Sequence, residues 1–152
     1  MLRDDINNAL KDAMKAGEAR RVSTLRLINS SLKNADIEAR GSGKGALADE
    51  DLLGLLQKMI KQRQESAELY DKGGRGELAA QEREEIAIIK GFLPQQMDET
   101  QARTAIEAVV KETGAAGMKD MGRVMAALKE RYAGKLDFGK ASAAVKKMLS
   151  GG

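Results

Sequence analysis

Two of the side chains that most often carry chemistry are missing: the 152-residue sequence contains no cysteine and no histidine. Disulfides, thiol nucleophiles, thiolate or imidazole metal sites, serine–histidine triads and haem ligation by histidine are therefore excluded. Among the residues that remain, Gly41-Ser42-Gly43-Lys44-Gly45 has the look of a phosphate loop. It lacks the Gly-x-x-x-x-Gly-Lys-Ser/Thr spacing and no strand precedes it, so it reads as a flexible helix connector. Two carboxylate clusters, Asp49-Glu50-Asp51 and Glu82 with Glu84 and Glu85, have the groups needed for Mg²⁺ binding or proton transfer. Both are expected near helix starts or on exposed faces, where solvation and the helix dipole explain them. Met118, Met121 and Met125 have helical spacing and read as core packing. No serine stands beside a recognisable base. The residues thus point to no catalytic group, no metal site and no cofactor.

The cations are more informative. The formal net charge is +3, yet 16 Lys+Arg up to Gln95 are matched by 16 Asp+Glu. From Gln96 onward there are 10 basic and 7 acidic residues. Lys119, Arg123, Lys129, Arg131, Lys135, Lys140, Lys146 and Lys147 fall between Met118 and Gly152, opposed only by Asp120, Glu130 and Asp137. A small surface with that excess attracts polyanions, because lysine and arginine displace counterions from phosphates. Lys140 and Lys147 are seven apart and share a helix face, read as lying opposite Val145 and Met148. Arg123 lies off the apolar stripe of its helix. Gly134-Lys135 and Gly139-Lys140 bracket a helix N-terminus, where free backbone N–H groups would suit a phosphate. Lys146 and Lys147 also sit in a last helical turn, where cations suit the dipole, and a lysine-rich face is equally what a solvated helix carries. The candidate RNA-binding residues are Arg123, Gly134, Lys135, Gly139, Lys140, Lys146 and Lys147. With two Tyr, two Phe and no Trp, no aromatic platform for base stacking is expected, so recognition would be of backbone and shape.

The elements that position these residues are helices. Leu2, Ile6, Ala9, Leu10, Ala13 and Met14 recur at three and four, ending at Gly17. Val22, Leu25, Ile28, Leu32 and Ala35 form a second stripe. A third runs through Leu52, Leu56, Met59, Ile60, Arg63, Ala67 and Tyr70 to Gly73-Gly74. A fourth runs from about Glu77 to Lys90 and stops at Gly91. The sole proline, Pro94, marks the clearest boundary, since the residue before it avoids helical geometry. Beyond it, Asp98 with Gln101 resembles a capping box. Three further helices follow, broken at Gly114, Gly117 and Gly134, the last capped by Asp137. The fold class is all-α: a four-helix N-terminal domain over residues 1–93, then a compact three-helix C-terminal domain over residues 97–152. No apolar run is long enough to span a bilayer. The charged start lacks the apolar stretch of a signal peptide, so a cytoplasmic protein is expected.

The order of segments resembles a known family. Thr24-Leu25-Arg26-Leu27-Ile28, Leu32-Lys33-Asn34-Ala35-Asp36-Ile37-Glu38 and Lys61-Gln62-Arg63-Gln64-Glu65-Ser66-Ala67 are similar to the second and third helices of the YqeY family. Ile86-Ala87-Ile88-Ile89-Lys90-Gly91-Phe92-Leu93-Pro94-Gln95-Gln96-Met97 resembles its hallmark linker, with Phe92 where tyrosine is commoner. Asp120-Met121-Gly122-Arg123-Val124-Met125, Gly134-Lys135-Leu136-Asp137-Phe138-Gly139-Lys140 and Val145-Lys146-Lys147-Met148-Leu149 resemble its C-terminal signature. The same two-part unit ends the transamidating subunit of the glutamyl- or aspartyl-tRNA amidotransferase. There the resemblance implies a helical linker domain and a tail that holds the tRNA body, with kinase and transamidation chemistry housed in a separate N-terminal region. The expectation is a non-catalytic tRNA-binding or adaptor protein, partnered by an amidotransferase or an aminoacyl-tRNA synthetase. The alternatives are an accessory component of carbon–nitrogen ligation with glutamine as amido donor, and a helical protein-interaction module.

Overall fold

A computed structural model describes residues 1–151, and among them there are seven α-helices, one 3₁₀ turn and no strand. The chain separates into two compact units, Met1–Leu93 and Pro94–Gly152.

The leading unit contains α1 (Leu2–Ala16), α2 (Ala19–Gly41), α3 (Asp49–Lys72) and α4 (Gly76–Lys90). Gly17 ends α1 in the left-handed region at φ 69°, and its N–H returns to the carbonyls of Ala13 and Met14. The two-residue connection lays α2 back against α1. α3 pairs with α4, and α2 packs on α4. Ile6, Leu25, Ile28, Leu52, Leu56 and Ile89 are fully buried between them. Each such side chain contributes about 1.5–3 kcal/mol through loss of apolar surface to water.

Two arginines fasten these helices. Arg3 on α1 donates to both carboxylate oxygens of Asp36 on α2, at 2.6 and 2.7 Å, and to the Leu47 carbonyl at 3.1 Å. This two-pronged contact holds the Asp36 carboxyl below the usual carboxylate range. Arg63 on α3 donates from Nε to Glu85 on α4 at 3.0 Å and from a guanidinium NH to the Met59 carbonyl at 3.2 Å. Glu85 is 7% exposed. The acidic cluster of α4 is therefore only in part the solvated face that its composition implies, since Glu84 is exposed and Glu85 is buried. Glu85 is committed to Arg63, Glu84 to Arg20 at 3.2 Å, and partial burial pushes the Glu82 carboxyl up, with Glu85 adding to the effect.

Gly91 ends α4 with right-handed geometry, φ −59°, rather than by a left-handed cap. The turn continues through Phe92 and Leu93, whose N–H groups reach the carbonyls of Ile89 and Lys90. A Cβ at Gly91 would lie 3.2 Å from the Ile88 carbonyl oxygen. Pro94 has no N–H with which to prolong the turn.

The trailing unit contains α5 (Glu99–Glu112), the 3₁₀ turn Met118–Asp120, α6 (Met121–Tyr132) and α7 (Phe138–Leu149). α5 opens with the reciprocal cap expected for it. The Gln101 N–H donates to Asp98 Oδ1 at 2.7 Å, and the Asp98 N–H donates to Gln101 Oε1 at 3.0 Å. Ile106, Val109, Val124, Leu128 and Val145 form the core. Met121 and Met125 pack against it, but Met118 is 43% exposed and is not a core residue. The α6–α7 turn passes through Gly134, buried and left-handed at φ 76°, where a side chain would be strained. Residues preceding α5 pin this turn: the Met97 N–H donates to the Lys135 carbonyl at 2.9 Å, and the Gln96 amide donates to the Gly134 carbonyl.

Candidate nucleic-acid interface

The cations of the trailing unit fall into two groups according to what holds them. Arg123 donates to Asp120 at 3.1 Å, and Arg131 donates to Glu112. Asp120 is itself fixed by the N–H groups of Ala116 and Gly117, at 2.9 and 3.3 Å. The Ala116 amide is the main reason its carboxyl lies below the usual range. The lysines behave differently. Every ion pair among the described residues is made by an arginine. Lys135, Lys140, Lys146 and Lys147 are all exposed, and their ammonium groups have no carboxylate partner among the described residues.

Asp137 changes the reading of the α7 N-terminus. Its Oδ1 accepts the Lys140 N–H at 3.1 Å as the helix cap. The amide expected to be open to a phosphate is thus occupied, and an anion placed there would meet a carboxylate. Gly139 stands inside the first turn of α7 rather than in the turn before it, and the buried Gly134 shapes the loop from within. What the region offers to a polyanion is lysine side chains.

Two of them share a concavity. A cleft of about 630 Å³ runs between α5 and α7, with Lys140, Lys147 and Arg103 at its rim. Ala102, Ile106, Ala141, Ala144 and Met148 line it, so Met148 stands beside Lys147 rather than across the helix from it. Asp98, Glu99 and Asp137 also line it, all at or next to the starts of α5 and α7. Arg123, Lys135 and Lys146 do not line this cleft. The sequence reading missed both the cleft and Arg103. The available signal was the position of Arg103 directly beside the apolar stripe of α5, but pairing α5 with α7 needs the tertiary fold.

Among the described residues no group of three or more acidic side chains is placed to hold a metal ion, and no helix is long and apolar enough to cross a membrane.

Known proteins share this sequence over most of its length. A family model described as Yqey-like protein matches residues 3–149. The chain is 37% identical over 91 residues to Altered inheritance of mitochondria protein 41, mitochondrial, of Lachancea thermotolerans, a match covering 60% of this chain and 47% of that protein. The protein of the same name from Vanderwaltozyma polyspora is 32% identical over 120 residues, 74% of this chain and 62% of the relative. An uncharacterized protein of Schizosaccharomyces pombe is 33% identical over 90 residues, 59% of this chain and 70% of that protein. In the first two relatives the matched stretch thus spans between about half and three fifths of their length.

Proposed function

The chain belongs to the YqeY-like family, and from that premise we propose that it binds tRNA without itself making bonds, the trailing unit gripping the RNA backbone. The observation that carries this reading is the excess of 10 basic over 7 acidic residues from Gln96 onward, with Lys135, Lys140, Lys146 and Lys147 exposed and making no ion pair among the described residues. In this reading the four leading helices are a linker domain and the three trailing helices a tail, as in the transamidating subunit of the tRNA-dependent amidotransferase. Lysine is suited to the task as a compact point charge that approaches phosphate oxygens without demanding one geometry. Arg123 is a secondary contact, because part of its guanidinium is engaged by Asp120. An amidotransferase or an aminoacyl-tRNA synthetase is the partner class that would share the bound tRNA.

Titration of the full chain with tRNA at low salt tests this. Wild type is expected to bind, and Lys135→Glu with Lys140→Glu is expected to weaken binding at least tenfold. Reversal of Lys11 and Lys15, exposed residues of α1, is expected to change affinity less than twofold. Absence of binding, or equal losses for the two double variants, would refute the proposal.

A second reading, protein adaptor, is favoured by one feature of the leading unit. Met14 and Leu27, 53% and 45% exposed, line one groove of about 730 Å³ between α1 and α2, together with Val22 and Arg26. Leu27→Glu in the full chain separates the readings: loss of a co-purifying protein with tRNA affinity intact supports the adaptor role.

A further inference from the structure

We propose that the α5–α7 cleft receives the base of an unpaired nucleotide of the bound RNA, with Lys140 and Lys147 on the phosphates to either side. The inference rests on the RNA-binding reading and adds a site to it. The two lysines stand two turns apart on α7, roughly 10 Å along the helix axis, and both border the same opening. Between them the lining includes the small side chains of Ala141 and Ala144 on α7 and Ala102 on α5, beside the larger Ile106 and Leu136. Ala141 is packed into the core, and the half-buried Ala102 and Ala144 are where the slot opens. Met97 and Met148 also line it, and thioether sulfur is polarizable and packs well on the edge and face of an aromatic ring. A flat heterocycle with an anionic group on each side matches this combination of slot, sulfur and flanking ammonium groups, with Arg103 as a third cation set against the carboxylates of Asp98, Glu99 and Asp137. Single-stranded and loop RNA offers that chemistry, because its bases can be splayed out of the stack and inserted into a protein pocket.

The carboxylates of the cleft refine the choice of base. Asp98 and Asp137 each accept a backbone N–H as helix caps. Glu99, at the start of α5, has no hydrogen-bond or ion-pair partner among the described residues and is exposed at the rim. A carboxylate acceptor there selects bases with an exocyclic amino group, as Glu and Asp do with the cytosine amine. Cytosine, adenine or guanine is therefore favoured over uracil.

The experiment compares the full chain's affinity for a short oligo-C strand, an oligo-U strand, a blunt RNA duplex of equal phosphate count, and cytidine monophosphate. Wild type is expected to prefer oligo-C over the duplex by at least fivefold and over oligo-U by at least threefold. Ala144→Leu, which fills the slot and leaves every charge in place, is expected to abolish the preference over the duplex while duplex affinity stays within twofold. Glu99→Gln is a surface change that keeps the fold, and is expected to remove the preference over oligo-U. A retained preference in both variants overturns the cleft, and so does equal binding of oligo-C and duplex by wild type. Mononucleotide binding as tight as the strand overturns the RNA assignment of the cleft. If Lys140→Glu with Lys147→Glu abolishes RNA binding while Ala144→Leu and Glu99→Gln change nothing, the phosphate contacts stand and the base site falls. If wild type binds no RNA, both fall.

Discussion

In both units the ion pairs are made by arginines and the lysines make none, and the units differ in the charge that is left over. In residues 1–93, Arg3, Arg20, Arg21, Arg63, Arg75 and Arg83 each hold a carboxylate, and the total charge of that stretch is zero, 16 against 16. In the trailing unit the two arginine pairs, Arg123–Asp120 and Arg131–Glu112, consume two of seven acids. Asp98 and Asp137 are spent on helix caps. The lysines there are left over. Sequence charge is thus a poor guide until one knows which charges are already engaged. Eight of the eleven arginines hold a carboxylate, Arg3 with both prongs of its guanidinium, whereas the strongly hydrated ammonium groups, like Arg103, make no ion pair among the described residues.

This division of labour is tested most severely at Arg63 and Glu85, whose side chains are only 15% and 10% exposed. Removing Glu85 leaves the largely buried Arg63 with only the Met59 carbonyl and the neighbouring Glu82 carboxyl, so Glu85→Ala is expected to cost about 3 kcal/mol, the lower end for a broken buried pair. The Arg63→Leu, Glu85→Leu double variant is expected to recover most of it. Urea unfolding checks both, and tRNA affinity measured on folded double variant should match wild type. A loss below about 1 kcal/mol would show that this pair is no more structural than an exposed one.

Asp137 sits on the other side of the division, an acid within a basic surface. Asp137→Ala removes the α7 cap and is expected to cost about 1 kcal/mol. It also removes a negative charge beside Lys140 and is expected to raise tRNA affinity. Thermal melting and the binding titration together read the two opposed effects.

Glycines in helices let the two units be followed separately. Gly54 in α3 and Gly122 in α6 have open space where a Cβ would go. Gly54→Ala is expected to add about 0.5–1 kcal/mol, and Gly122→Ala less, because it lies in the first turn. If the units unfold in distinct calorimetric transitions, each change should move only its own.

Glu82 gives the smallest effect and a signed pH dependence. Its proton is held more tightly in the folded chain than in the unfolded one, chiefly because of partial burial and next because of Glu85, with Arg63 opposing. The folded state is therefore favoured while Glu82 is protonated, and that contribution is lost as pH rises through its raised pKa. Glu82→Gln is expected to melt higher than wild type at pH 7, with the difference vanishing below the ordinary carboxylate range. Melting curves at the two pH values check the sign.

Local features were readable from sequence. The all-helical class follows from apolar spacing, and the caps at Gly17, Asp98–Gln101 and Asp137 are signals confined to a few residues. Features that need two distant helices were not readable. Glu85 looked like one member of a solvated cluster because its partner lies 22 residues away. A hint was present in Arg63, which falls on the buried stripe of α3 and must find an anion there. The open amide expected before α7 failed for the converse reason: the residue that caps the helix also occupies its N–H. The cleft depends on how α5 lies against α7, which spacing along one helix does not encode.

Salt dependence of tRNA binding decides whether the leftover lysines hold the RNA. The slope of log affinity against log salt would be compared for wild type and for the variant with Lys135, Lys140, Lys146 and Lys147 all changed to Gln. Each phosphate-contacting lysine accounts for roughly one unit of slope, so a reduction of about three to four units is predicted. An unchanged slope would mean that the RNA, if bound, is held elsewhere on the chain.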